Sequence, residues 1–261
     1  MEPALRFYRR YFRRKPFGWF GDYGSWNDAA KNCAGYDAQN ILEKVKEATL
    51  KVKRGEAIWE RDSVIFDQIE YSFPLLSALL WVAAESGQRL SVLDFGGSLG
   101  SSYFQNRNFL KSIETVWTIV EQKQFVDAGR ESIADSVLHF EPTMQSAVET
   151  YNPNLFLISC CLQYIEKPFE LIDEIVKLKI PYLIVDNTPF NFEARNRITV
   201  QKVPPDIYEA SYPCWFLDYA SVLARFTADY EVVTEFVNDT IIELDGHKIP
   251  YQGFLLALKN S

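Results

Sequence analysis

The sequence predicts an α/β fold, with a doubly wound, mostly parallel sheet of seven strands, an antiparallel last strand and an N-terminal helical cap. Three patterns lead to this prediction. Short apolar, β-branched runs alternate with helical patterns through the middle of the chain, hairpin signals replace them near the end, and two helical patterns precede the first run. Buried strands that alternate with helices are typical of a parallel sheet covered on both faces.

The N-terminal part, residues 1–87, is predicted to form the helical, aromatic-rich cap. One amphipathic helix is expected over 37–55, with Asp37 as its cap, and a more buried helix over 72–87. Residues 88–261 are predicted to form the core, and the two parts together are expected to make one compact unit.

Apolar runs predict the parallel strands of the core, at 91–95, 116–121, 136–140, 155–159 and 182–186. Two later runs, at 230–237 and 253–259, flank the hairpin-type turn Asp245-Gly246 and predict antiparallel strands. Parallel strand–helix units followed by an antiparallel end predict a Rossmann-like sheet.

Charge limits the classes of function. The 261 residues carry a formal net charge of −8, yet residues 1–15 contain six basic residues and one acidic residue, so the rest of the chain is strongly acidic. An acidic body disfavours nucleic-acid binding, which needs a broad basic surface. The basic arm, residues 1–15, either contacts an anionic membrane surface or remains solvated.

The chain is expected to be cytoplasmic, with or without peripheral contact to the inner face of the membrane. Its longest apolar stretch, residues 75–84, is too short to cross a bilayer, and the N-terminus shows no signal-peptide pattern. The four cysteines lack metal or disulfide spacing and the chain has only two histidines, so no metal site is expected. These patterns do not predict an oligomeric state.

A glycine-rich turn, FGGSLG, follows the first core strand at residues 95–100. In a doubly wound sheet this turn lies where the strand order reverses and ligands bind. The dinucleotide pattern G-x-G-x-x-G fails, because Ser98 and Ser101 stand where glycines would follow Gly96, and no Walker lysine is present. A phosphate-binding turn is therefore disfavoured.

The remaining pattern, D-x-G-x-x-x-G, suits a cationic ligand without phosphate. Asp94 stands at the strand end, and Glu121 ends the second strand, 21 residues beyond Gly100, where it can accept hydrogen bonds from ribose hydroxyls. S-adenosylmethionine carries an ammonium and a sulfonium, and glycines let the main chain approach it closely. Alternatively, Asp94 caps the next helix and Glu121 is a surface acid. The predicted cofactor-binding residues are Asp94, Gly96, Gly97, Ser98, Gly100, Glu121, Gln122 and Ser159.

The turn and the acid resemble those of class I S-adenosylmethionine-dependent methyltransferases, whose usual first motif is D-x-G-x-G-x-G. This chain departs from that motif at Ser98, which takes the middle glycine position. More narrowly, several stretches resemble a family of bacterial methyltransferases associated with surface-polysaccharide biosynthesis: WFGDYGSW, ERDSV, LDFGGSLGSSY, VEQ, SCCLQYIEKP, DNTPF and YEASYPCW. The resemblance covers most of the chain from about residue 17 and implies methyl transfer from S-adenosylmethionine.

Methyl transfer to a hydroxyl needs a base near the methyl donor, and the loops after the fourth and fifth core strands face that point. Asp186, expected at the tip of the fifth strand, is the preferred base, and it could equally cap a turn. Gln163 and Tyr164 follow the fourth strand and could contact the donor or the acceptor, or Tyr164 could belong to the core. His139 is expected to be structural and His247 exposed.

Acceptor binding is predicted for two groups of residues. Arginines could bind an anionic acceptor or form surface ion pairs: Arg61, Arg195 and Arg197. Aromatic residues could wall the acceptor pocket by stacking on sugar faces or could pack in the core: Tyr208, Tyr212 and Trp215.

The sequence therefore predicts a methyltransferase that uses S-adenosylmethionine and methylates a hydroxyl of a saccharide or saccharide precursor. Two alternatives stay open. The acceptor atom could be an amine or a phosphate oxygen, or the fold could have lost catalysis and serve as a scaffold subunit. Ser98 and the lack of a placed histidine base favour the scaffold, whereas Asp94, Gly96, Gly100 and Glu121 oppose it.

Overall fold

The computed structural model describes residues 17–34, 38–191, 193–204, 207 and 210–259. Its strands are β1 (Gly18–Tyr23), β2 (Trp59–Arg61), β3 (Val64–Phe66), β4 (Arg89–Phe95), β5 (Glu114–Val120), β6 (Leu138–Glu141), β7 (Leu155–Ser159), β8 (Tyr182–Asn191), β9 (Arg197–Lys202), β10 (Ser211–Asp218), β11 (Tyr230–Leu244) and β12 (His247–Leu258). Its helices are α1 (Trp26–Ala30), α2 (Ala38–Arg54), α3 (Phe73–Glu85), α4 (Ser101–Asn106), α5 (Lys123–Ser132), α6 (Met144–Tyr151), α7 (Pro168–Lys177) and α8 (Tyr219–Thr227), and a short 3-10 turn covers Leu162–Tyr164.

Seven strands form the predicted core sheet in the order β6-β5-β4-β7-β8-β12-β11. Pairing is parallel from β6 to β8, and β12 runs antiparallel to both β8 and β11. The prediction of a Rossmann-like, doubly wound sheet with an antiparallel last strand is confirmed. The strand order reverses at β4, which lies between β5 and β7, so a ligand crevice is expected beyond the carboxyl ends of β4 and β7.

The helices expected before the first core strand are present. Helix α2 covers the first of them, and its expected cap, Asp37, lies outside the described residues. Helix α3 begins after Ser72, whose hydroxyl accepts a hydrogen bond from the backbone N–H of Leu75, and a proline occupies its first turn.

Apolar side chains divide between two core clusters on opposite faces of the sheet. In β4, Leu90 and Val92 join the cluster that includes α2 and α3, whereas Leu93 joins the cluster that includes α7 and α8. In β8, Ile184 and Val185 divide in the same way. Successive strand residues point to opposite faces, and burial of both faces explains why these strands are continuous apolar runs.

Strands β1, β9 and β10 widen the sheet, and the sequence patterns did not indicate them. The last two residues of β8 pair in parallel with β10, β10 pairs antiparallel with β9, and β9 pairs antiparallel with β1. Strand β1 belongs to the N-terminal part, so that part contributes to the main sheet as well as helices. It also contributes the separate hairpin β2–β3.

Strand β8 has ten residues, twice the predicted length, which corrects the placement of Asp186. Asp186 lies within the strand and not at its tip, because β8 continues to Asn191. Pairing with β12 steps from Val185–Phe254 to Thr188–Gln252, a bulge at which Asn187 has a φ of 48°. Bulges re-aim side chains, and here Asp186 and Asn187 both contact the same side chain, that of Asn238.

Within the described ranges, no helix is long and apolar enough to cross a bilayer. The same residues contain no cluster of His, Cys, Asp or Glu that could hold a metal ion. His139 stacks on Tyr151 with ring centroids 4.7 Å apart, and His247 is exposed. The basic arm, residues 1–15, lies outside the described residues.

Candidate active site

The glycine turn after β4 is held by its own main chain. The backbone N–H of Gly96 donates to the carbonyl of Val120 at 2.9 Å, and that of Gly100 donates to the carbonyl of Gly97 at 3.0 Å. Gly96 and Gly100 have φ values of +72° and +104°, where side chains are rarely found. Ser98, with a φ of 55°, adopts the left-handed conformation that a glycine would take at the middle motif position.

Asp94 lies beneath this turn. Its side chain is 1% exposed, and its Oδ2 accepts a hydrogen bond from the indole N–H of Trp117 at 2.9 Å. A Cβ on Gly97 would stand 2.5 Å from the same carboxylate, so the position needs glycine for space. Burial raises the pKa of Asp94 to about 7, with smaller contributions in the same direction from the charges of Glu121 and Asp186. The carboxylate thus packs under the main chain of the turn, whereas the sequence suggested that it would face a ligand.

Glu121 is the acid that faces the turn. It directly follows β5, and its carboxylate accepts hydrogen bonds from the backbone N–H groups of Gln122, at 2.7 Å, and of Ser98. Burial raises the pKa of Glu121. The structure therefore brings Glu121 and the glycine turn together, while the side chain of Gln122 is exposed just before α5.

The loop after β7 lies on the other side of the expected crevice, because β7 is the neighbour of β4 at the reversal point. The thiol of Cys161 packs against the turn so closely that a Cβ on Gly96 would lie 2.3 Å from its Sγ. Burial raises the pKa of Cys160 and of Cys161, and Cys161 also lies near the carboxylates of Glu121 and Asp94. Both thiols stay uncharged at neutral pH and act as packing groups, because only a thiolate is an effective nucleophile.

Asp186 is the centre of a buried hydrogen-bond network. Its Oδ2 accepts from the hydroxyl of Ser159 at 2.7 Å and from the amide of Asn187 at 3.2 Å. Its Oδ1 accepts from the amide of Asn238 at 2.9 Å. Three donors leave one lone-pair position of the carboxylate free, on Oδ1. Ser159, which was predicted to contact the cofactor, donates to Asp186 in this structure.

Two amide oxygens beside this network, Gln163 Oε1 and Asn238 Oδ1, have no hydrogen-bond partner among the described residues. The amide nitrogen of Asn238 donates to Asp186 and also to Oδ1 of Asn187, at 2.7 Å. The amide nitrogen of Gln163 points to the backbone carbonyl of Asn187 at 3.5 Å. These donor contacts decide which end of each amide is the oxygen. A ligand that donates hydrogen bonds would satisfy both oxygens.

The hairpin β2–β3 brings another acid to the glycine turn. Glu60 is fully buried, and its Oε1 accepts a hydrogen bond from the hydroxyl of Ser101, the residue that follows the turn. Its Oε2 has no partner among the described residues. Burial raises the pKa of Glu60 to about 7. The next residue, Arg61, hydrogen-bonds to Cys160 in the loop after β7.

The other predicted arginines bind protein groups at the surface. Arg195 forms an ion pair with Asp22 at 2.8 Å, and Arg197 forms one with Asp245 at 2.7 Å. Arg197 also donates to the backbone carbonyl of Gly21 at 2.8 Å. These contacts correspond to the ion-pair alternative, and the two side chains fasten β1 and the β11–β12 turn to the start of β9.

Two of the predicted aromatic residues, Tyr212 and Trp215, lie where the 3-10 turn after β7 meets the widened part of the sheet. Tyr164 donates from its hydroxyl to Oε1 of Gln201 at 2.8 Å, and its ring lies edge-on to that of Tyr212 at 5.2 Å. Trp215 donates from its indole N–H to a backbone carbonyl of the loop after β7, at 3.0 Å. Tyr208 lies outside the described residues.

Three residues of the candidate site were not predicted from the sequence. Glu60 lies beside the glycine turn, and Asn187 and Asn238 belong to the hydrogen-bond network of Asp186. Glu60 stands in the stretch ERDSV, where only the charge of Arg61 was considered. Asn187 directly follows Asp186, so its proximity to the site could have been expected. Asn238 carries no local signal, because its partners are 51 and 52 residues away in sequence.

No protein-family profile and no curated protein matches this chain. Among solved structures, the [4+2]-cyclase SpnF is similar, with a TM-score of 0.51 and 11% identity over 85% of this chain and 95% of that chain. The N-terminal domain of EvdMO1, solved in the presence of S-adenosylhomocysteine and D-fucose, has a TM-score of 0.48 and 14% identity, covering 86% of this chain and 98% of that chain.

A further similar structure is the N-methyltransferase NodS from Bradyrhizobium japonicum WM9 in complex with S-adenosylhomocysteine. Its TM-score is 0.46 at 12% identity, and the match covers 82% of this chain and 100% of that chain. At such low identities the similarity concerns the fold alone. The chain shares the doubly wound α/β fold of the cyclase over most of the length of both proteins.

Proposed function

We propose that this protein is an S-adenosylmethionine-dependent methyltransferase that methylates a hydroxyl of a saccharide or saccharide precursor. The observation that carries the proposal is the pairing of Glu121 with the glycine turn at the reversal point of the strand order. A carboxylate at the end of the second parallel strand can accept hydrogen bonds from ribose hydroxyls, and the turn offers main chain to the rest of the ligand.

The charge of the crevice supports a cationic ligand. Asp94, Glu121 and Glu60 all lie at or beside the glycine turn, and burial raises the pKa of each, so a bound cation would favour their ionised forms. Three carboxyl groups would repel a pyrophosphate, whereas the sulfonium and ammonium of S-adenosylmethionine would be attracted to them. Methyl transfer forms a bond from the acceptor atom to the methyl carbon as the carbon–sulfur bond breaks, and the acceptor proton passes to a base.

The neighbouring polar network supports a hydroxyl acceptor. Gln163 Oε1 and Asn238 Oδ1 are neutral oxygens that accept hydrogen bonds, so they suit a hydroxyl better than a carboxylate or phosphate. As the base, Asp186 would use the free lone-pair position on Oδ1, and its three donors would hold the carboxyl group in position.

The first test is calorimetric titration with S-adenosylmethionine and S-adenosylhomocysteine. We expect both to bind the wild-type protein, and Glu121→Ala to weaken binding by ~10- to 100-fold through the loss of charge-assisted hydrogen bonds. Asp127→Ala is the matched control, because Asp127 is an exposed carboxylate on the helix that follows Glu121 and pairs only with Lys123 there. Absence of binding to either ligand would reject the methyltransferase proposal and favour a scaffold subunit.

The second test follows the transfer of a labelled methyl group to a panel of nucleotide-linked sugars. We expect label on a sugar with free hydroxyls and less on the matching deoxy-sugar that lacks the methylated position. Label on an amino-sugar, with none on the hydroxyl analogue, would redirect the proposal to N-methylation.

A further inference from the structure

The hairpin β2–β3 spans the crevice at the reversal point of the sheet. Glu60 reaches Ser101, at the end of the glycine turn after β4, and Arg61 reaches Cys160, at the start of the loop after β7. These two loops follow the neighbouring strands β4 and β7 and therefore form the two walls of the expected ligand crevice. Adjacent residues of one short strand therefore contact both walls, and the hairpin lies over the place where the methyl donor would bind.

Glu60 is an unusual residue in this position. It is 0% exposed, its Oε1 accepts from Ser101, and the backbone of Ser63 also hydrogen-bonds to its carboxyl group. Oε2 nevertheless has no partner that meets hydrogen-bond geometry, and it is the only such buried carboxylate oxygen within the described part of the chain. An unpaired buried charge is expensive, and for that reason the pKa of Glu60 rises to about 7. A cation bound beside Oε2 would remove this cost.

We propose that Glu60 binds the ammonium group of the methyl donor's amino-acid part, with Oε2 accepting from the ammonium and Ser101 holding Oε1 in place. This inference rests on the proposed function. Asp94 cannot do the same, because its carboxylate packs beneath Gly97 and is bonded to Trp117. The acid that recognises the cation thus comes from the N-terminal hairpin and not from the glycine motif.

Two ligands separate this role from a structural one. S-adenosylhomocysteine carries the ammonium, whereas 5′-methylthioadenosine has the same nucleoside and a thioether but no amino-acid part. In Glu60→Gln we expect S-adenosylhomocysteine to bind ~10- to 100-fold more weakly and 5′-methylthioadenosine to change by less than ~2-fold. Glu70→Gln is the control, since Glu70 is an exposed acid of the same N-terminal segment.

A measurement on the wild-type protein alone gives a second readout. Because the free carboxyl has a raised pKa and the ammonium needs its ionised form, affinity for S-adenosylhomocysteine should rise as the pH increases from 6 to 8. Asp94 and Glu121 also have raised pKa values and act on both ligands, and Asp62 and Arg61 of the hairpin face Glu60 with or without ligand. The affinity for 5′-methylthioadenosine, and that of Glu60→Gln for S-adenosylhomocysteine, should therefore rise less than the affinity of the wild type for S-adenosylhomocysteine.

Equal weakening of both ligands in Glu60→Gln, or no weakening of either, would overturn the proposal while leaving the cofactor site intact. A wild-type protein that binds neither ligand would instead overturn the proposed function, and this inference with it. The two failures are therefore distinguishable in one set of titrations.

Discussion

The close contact between Gly96 and Cys161 allows a quantitative test of how the crevice is packed. Gly96→Ala introduces a Cβ at a φ of +72°, 2.3 Å from the Sγ of Cys161 and 3.1 Å from its Cβ. The left-handed backbone costs an alanine ~1–2 kcal/mol. Overpacking against a buried side chain adds ~1–3 kcal/mol, so we expect a total loss of ~2–5 kcal/mol in the free energy of unfolding.

Gly55→Ala isolates the backbone part of that loss. Gly55 has nearly the same φ, +76°, but an added Cβ would meet nothing within 4 Å, so its loss should stay at ~1–2 kcal/mol. The Gly96→Ala/Cys161→Ala double variant removes the sulfur and leaves a Cβ contact of 3.1 Å, so it should recover most of the packing cost. We therefore expect a coupling of ~1–3 kcal/mol between the two substitutions.

Urea unfolding of five proteins, compared at constant m-value, measures these differences: wild type, Gly55→Ala, Gly96→Ala, Cys161→Ala and the double variant. A loss for Gly96→Ala within ~0.5 kcal/mol of that for Gly55→Ala would refute the contact with Cys161. Strictly additive single and double variants would refute it equally, because additivity is the behaviour of residues that do not touch.

Four further substitutions test the polar groups of the structure. The pKa of Asp94 is about 7 in the folded state, against an ordinary value of 3.8, so the folded state retains this proton at a pH where the unfolded state has lost it. This stabilisation is lost as the pH rises from about 4 through 7. The free energy of unfolding of Asp94→Asn, measured with urea, should therefore increase by ~3 kcal/mol relative to that of wild type between pH 5 and pH 8. A constant difference between the two proteins would contradict the raised pKa. Asn238→Ala should lower the free energy of unfolding by ~2–3 kcal/mol, because it leaves a buried oxygen of Asp186 without its donor; a loss below ~0.5 kcal/mol would argue against the network. Arg197→Ala should lower the free energy of unfolding by ~1–2 kcal/mol, because the side chain of Arg197 is only 12% exposed. Arg195→Ala should lower it by less than ~1 kcal/mol, because the side chain of Arg195 is 45% exposed. Thermal unfolding measures both losses, and the reverse order would contradict the placement of the two ion pairs.

The core of the fold could be predicted because its signals are local. Continuous apolar runs mark strands that are buried on both faces, and the Asp245-Gly246 turn marks the final hairpin. The widened part of the sheet gave no comparable signal. Strand β10 contains Pro213, which usually argues against a strand, and β2 and β3 have only three residues each.

The candidate site could be predicted only where a residue directly follows a strand that the sequence itself indicates. Glu121 was found from its spacing to the glycine turn, and the structure brings the two together. The contacts of Glu60 and Asn238 depend on side chains 41 and 52 residues away, and on bulges that have no sequence signature. Asp186 was placed at a strand tip because the apolar run ends there, whereas hydrogen bonding to β10 and β12 continues the strand through polar residues.

The ten-residue length of β8 also limits how this protein can move. Its first half is hydrogen-bonded between β7 and β12, and its last two residues are bonded to β10, so one strand is shared by the seven-stranded core and the widened part of the sheet. From Asp186 to Asn191 the strand spans ~17 Å. Rotation of one side against the other would break ladder hydrogen bonds along this shared strand. In the proposed methyltransferase, entry and release of ligands would therefore depend on small displacements of peripheral segments over a fixed frame, and the strand itself would set the distance between donor and acceptor.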